Sequence, residues 1–134
     1  MSLIGKRRGR PTTRIQFDSI LKTFLIFLKR ELRITFDIPV VFIDDAEFAK
    51  KSYAFGFINP EDKRIYVSII NRHPIDILRT LSHEVVHYKQ LTQKNTIKSH
   101  AGSAEENFAN AKAGEIMRKY GKLHPELFDL MPIR

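Results

Sequence analysis

LSHEVVHYKQ, residues 81–90, sets two histidines four apart with a glutamate directly after the first, in a segment whose apolar residues recur at helical intervals. The segment begins at Pro74, and proline suits a first helical position because no amide hydrogen is needed there. Ile75, Leu78, Leu81, Val85 and Tyr88 then form one stripe, so the spacing predicts a helix running from Pro74 past Gln90. Four residues advance a helix by slightly more than one turn, which puts His83 and His87 side by side, able to offer ring nitrogens to one ion. Glu84 is rotated about 100° from His83, close enough to reach a metal-bound water without taking a ligand position. Zinc at such a site acidifies its water, and a neighbouring glutamate can accept the proton as a polarised carbonyl is attacked. Peptide hydrolysis is the reaction these parts predict.

Catalytic zinc takes three protein ligands and keeps a fourth position for water, so a third ligand must lie downstream. With no cysteine in the chain it has to be nitrogen or oxygen. The metzincin pattern would need glycine and histidine where this chain has Gln90 and Gln93, and is excluded. His100, Glu105 and Glu106 remain. In AEENFANAKAGEIMRKYG, residues 104–121, Phe108, Ala109, Ala113, Ile116, Met117 and Tyr120 keep helical spacing up to a Gly121 stop. Glu106 shares a face with Ala109, Asn110 and Ala113, whereas Glu105 is turned about 100° away. Small alanines let this helix approach the histidine helix closely, which favours Glu106 as the ligand. Asn110, one turn further on, is placed to orient a ligand such as His83 or His87.

The flanking sequence supplies the scaffold. Thr13 and Gln16 have capping-box spacing, and Ile20, Leu21, Phe24, Leu25, Phe27, Leu28 and Leu32 recur helically, predicting a first helix over residues 13–33. VVFID, residues 40–44, is short, β-branched and closed by acids, which reads as a strand. YAFGFINPEDKRIYVSII, residues 53–70, holds two β-rich runs around NPEDK, a turn sequence, and predicts an antiparallel hairpin. Tyr53, Phe55 and Phe57 share one face of it, and Ile65, Val67 and Ile69 oppose Tyr66, Ser68 and Ile70. A polar connector, residues 94–103, separates the two metal-bearing helices. KLHPELFDLMPIR, residues 122–134, is apolar enough to pack onto the domain, and Leu127–Arg134 folded into the cleft as a plug would make the site latent.

At 134 residues, 43% hydrophobic and 28% charged, the chain suits one core of the soluble globular kind, assigned to residues 13–134. Its longest greasy run, Phe24–Leu28, is far short of the roughly 20 residues that span a bilayer. No signal peptide is recognisable. A soluble protein of the cytoplasm, or of the host cytoplasm if phage-encoded, with no membrane partner, is expected. The formal charge of +8 favours acidic partners. Much of it lies in residues 1–12, read as a flexible basic tail where Lys6, Arg7, Arg8 and Arg10 can touch nucleic acid; RRGRP, residues 7–11, resembles the core of an AT-hook.

HEVVHYKQ followed by EENFANAKAGEIMRKYG resembles the small gluzincin-type metallopeptidases, including short phage and bacterial HExxH proteins, over roughly residues 35–121. In that family the helix after HExxH carries the glutamate ligand in an E-x-x-A-N setting, which Glu106, Ala109 and Asn110 match. The resemblance implies a zinc ion on His83, His87 and Glu106, with Glu84 as the base and acid. It further implies an α+β, minimal zincin-like fold with a small antiparallel sheet whose edge strand takes up substrate peptide. RIYVSII, residues 64–70, is the candidate edge. The chain lacks the C-terminal subdomain that in larger gluzincins supplies an oxyanion-stabilising tyrosine or histidine; Tyr53, Tyr66, Tyr88, Tyr120 and His124 are present, and none is assigned that role. Two alternatives compete. Spartan-like DNA-associated proteases draw a third histidine from the connector, which here would be His100. A non-catalytic zinc-stabilised nucleic-acid-binding module would close its site with Glu106 and His100 together.

Overall fold

The computed structural model describes residues 9–48, 55–94 and 103–134. Helix α1 spans Arg14–Leu32, strands β1, β2 and β3 span Val40–Ile43, Gly56–Ile58 and Ile65–Ser68, and helices α2 and α3 span Pro74–Lys94 and Ala104–Leu123. A short 3-10 turn, Pro125–Asp129, follows. The fold is α+β, as expected.

Helix α1 opens with the capping box read from Thr13 and Gln16, each side chain bonding the other's backbone amide. It ends at Arg33 in the left-handed region, and Lys89 of α2 donates to the helix-terminal Leu32 carbonyl at 2.7 Å. Phe17, Phe24, Leu28 and Leu32 point into a core shared with Ile65 and Val67 of β3, with Leu78, Leu81 and Val85 of α2, and with Ile116 and Tyr120 of α3. The apolar stripes of α1, α2 and α3 thus converge on one core, the main driving force for the fold.

The sheet has the order β1-β3-β2. β2 and β3 form the expected antiparallel hairpin, with Lys63 at φ 58° and its amide bonded to Asn59 in the turn. β1 pairs β3 in parallel, Val40 opposite Ile65, so the sheet is mixed and not antiparallel throughout. This overturns the edge assigned to residues 64–70. β3 is the central strand, paired on both sides, with Ile65, Val67 and Ser68 all buried. β2 is an edge instead. It lies close over α2 at Gly56, where an added Cβ would come within 2.6 Å of Thr80 Cγ2.

Three further expectations change. Gly121 does not stop α3, which runs on to a cap at His124 before Pro125. Gly121 instead gives room to the Phe128 ring, 3.2 Å from where its Cβ would stand. Thr12 is no part of a free tail: it is buried, bridges Ile133, and bonds the Pro132 and Met131 carbonyls. The same contacts hold residues 131–133 away from the cleft, and none of residues 127–134 lines it, so they are no plug. Lys6, Arg7, Arg8, Tyr53 and His100 lie outside the described residues; Arg10 is exposed. No helix among the described residues is long and apolar enough to cross a membrane.

Candidate metal centre

Helix α2 carries His83 and His87 on adjacent turns of one face, their rings 4.7 Å apart and nearly perpendicular. Helix α3 faces it. Ser103 caps α3 by accepting from the Glu106 amide at 3.0 Å, which sets Glu106 in the first turn, where the helix dipole favours a carboxylate. Its two oxygens meet the two histidines: Oε1 lies 2.8 Å from His87 Nε2 and Oε2 lies 3.4 Å from His83 Nε2.

The ligand atoms of His83, His87 and Glu106 all lie within 4.8 Å of one another, so the three residues can hold a metal ion. Tetrahedral ligands at about 2.0 Å from zinc stand roughly 3.3 Å apart, a spacing within small side-chain adjustments of this cluster. Protonation supports the fit. Gln90 donates Nε2 to the Glu105 carbonyl at 3.4 Å, which turns its Oε1 toward His87 Nδ1 at 2.8 Å. An amide oxygen only accepts, so Nδ1 carries the proton and Nε2 presents its lone pair to the Glu106 carboxylate. Two acceptors at 2.8 Å repel unless the ring takes up a second proton or a cation lies between them. His83 is held below its ordinary pKa, first by burial and then by the positive charge His87 can carry, while Glu106 opposes the shift. A neutral ring is the ligand form.

Glu84 lines the cleft beside this cluster without joining it. Burial pushes its carboxyl up to about 7, with Glu106 adding to the rise and His87 opposing it. The cleft, about 530 Å³, is walled by Gly56, Phe57 and Ile58 of β2 on one side and by Leu91 on another. Asn110 donates to Glu106 Oε2 at 3.4 Å, so the ligand it steadies is the carboxylate.

Sequence reading used Gln90 only to exclude the metzincin pattern. Its spacing, three residues after His87 on a helix, is the signal that it can reach that ring. The three described tyrosines go elsewhere. Tyr66 bonds Asp62, Tyr88 packs on Phe36, and Tyr120 packs on Phe24, Phe27 and His124.

No known protein family, curated protein or solved structure matches this chain. What it presents is a His-His-Glu cluster able to bind a metal ion, with an extra half-buried carboxylate beside it and a cleft in front.

Proposed function

We propose that the chain is a zinc-dependent peptidase of the gluzincin kind. The observation that carries this reading is Glu84: a half-buried carboxylate that lines the cleft next to a three-ligand cluster yet belongs to no ligand set. A structural site has no use for it, since such sites are closed by four ligands. Two imidazoles and one carboxylate, without thiolate, suit zinc. The ion supplies Lewis acidity, which makes water a nucleophile at neutral pH and polarises a carbonyl.

The chain's own residues do the rest. Gln90 holds the His87 tautomer, and Asn110 steadies Glu106. Glu84, which lines the cleft beside the ligands, takes a proton from the attacking water and returns it to the leaving amine nitrogen. An extended substrate peptide adds to the outer edge of β2, the strand that walls the cleft, and backbone hydrogen bonds there fix its register.

The test combines metal content with hydrolysis of a peptide library. Glu84→Gln should keep stoichiometric zinc and lose at least about 100-fold in turnover. His83→Ala, His87→Ala and Glu106→Ala should lose the metal, and Glu105→Ala should keep it. Undiminished turnover in Glu84→Gln, or full zinc in Glu106→Ala, sinks the proposal.

A further inference from the structure

α2 and α3 pack antiparallel, and the residues along their seam change character from one end to the other. On α2 the stripe runs His87, His83, Arg79, Ile75; on α3 it runs Glu106, Asn110, Ala113, Met117. At the far end of this seam the C-terminal 3-10 turn closes a groove of about 250 Å³, distinct from the cleft. Its floor is apolar: Ile75, Met117 and Leu127 are buried, and Phe128 is 62% exposed. Its rim is cationic, made of Arg79, Arg118 and Lys122, with no acidic residue lining it. None of these three cations is engaged in an ion pair among the described residues. Arg79 does not line the main cleft but lines a smaller cavity of about 320 Å³ beside it, whose wall also includes His83, Glu84 and Glu106, so the groove and the candidate metal centre meet at that side chain.

From this continuity and charge pattern, we propose that the groove docks an acidic segment of a protein substrate, one apolar side chain seated on its floor and carboxylates meeting Arg79, Arg118 and Lys122. The volume holds one large side chain, and unpaired cations at a rim select partners of opposite charge. A segment seated there continues past Arg79 toward Glu84, which places a flanking bond at the metal centre. That the segment belongs to a substrate rests on the peptidase reading; the docking itself does not.

Docking is measured in the full chain carrying Glu84→Gln, so that nothing is cleaved, by fluorescence anisotropy of a short labelled peptide with a central leucine between pairs of glutamates. Arg118→Glu with Lys122→Glu should weaken binding by about tenfold or more. A peptide with lysines for glutamates should bind poorly to the first protein and regain affinity for the charge-reversed one, an exchange that loss of structure does not produce. Replacing the leucine by serine should weaken binding as well. Unchanged affinity in the charge-reversed protein, or no effect of the serine, overturns the proposal. So does a sedimentation result in which the charge reversal dissolves a dimer, or a duplex DNA that outcompetes the peptide for the same side chains. If the peptide docks and wild-type protein cleaves nothing, the peptidase reading fails and the docking groove stands.

Discussion

His87 is fixed from two directions, by Gln90 behind the ring and Glu106 in front, and the pair decides which nitrogen is free for a metal. Leucine at position 90 keeps the bulk and removes the acceptor. Gln90→Leu is therefore expected to lower zinc affinity about 10- to 100-fold while the fold persists, as competition with a chromophoric chelator would read. An unchanged affinity would show that the tautomer is set without Gln90. Glu84 gives a pH-dependent counterpart. In metal-free protein its carboxyl is raised from the ordinary 4.5 to about 7, so above neutrality the folded state holds a charge that the unfolded chain solvates better. The penalty is full above the folded value, shrinks as pH falls through it, and disappears below the unfolded one. With chelator present, Glu84→Gln should stabilise the protein by on the order of 2 kcal/mol at about pH 8, after discounting for partial exposure, and by less than half of that at about pH 5. Urea midpoints at both pH values check it. The histidines and Glu84 were legible because their spacing lies within one helix. Gln90 was equally local, but its role needed the Glu105 carbonyl, on another helix, to orient the amide.

At the scale of the elements, β2 lies close against α2. Gly56 faces Thr80 Cγ2 at 2.6 Å and Glu84 Cγ at 3.3 Å from an added Cβ, so the strand rests on α2 beside the proposed base. Gly56→Ala should cost about 1–3 kcal/mol of stability and lower hydrolysis by shifting the cleft wall. Adding Thr80→Ser removes the clashing methyl and keeps the hydroxyl that accepts from Arg72 at 2.8 Å, and should restore most of the loss. Additive damage in the double variant would place the strain elsewhere. The helices were readable from periodicity and the hairpin from its turn chemistry. The parallel pairing of β1 was not: the spacing of apolar residues along a strand tells which face is buried but not which neighbour lies alongside. That is why a central strand with alternating residues was read as an edge.

At the scale of the molecule, a bound ion would join α2 to α3 across the 19 residues that separate His87 from Glu106. Metal that binds only the folded chain adds stability by mass action, about 4 kcal/mol when free zinc is a thousandfold above its dissociation constant. Chelation is thus expected to lower the melting temperature by on the order of 10 °C, reversibly on adding zinc, and to leave His83→Ala unmoved. Calorimetry with and without chelator distinguishes this from a fold indifferent to metal. By itself the sequence determined whatever depends on residues within a few turns of each other: the helices, the hairpin turn, the pairing of His83 with His87, and the offset that sets Glu84 apart. The spacing along α3 also singled out Glu106 over Glu105. Only the tertiary structure decided the strand order, the anchoring of Thr12 against the C-terminus, and the groove that meets the candidate metal centre at Arg79. These depend on which distant surfaces bury each other, a choice made by the whole core at once and carried by no local pattern.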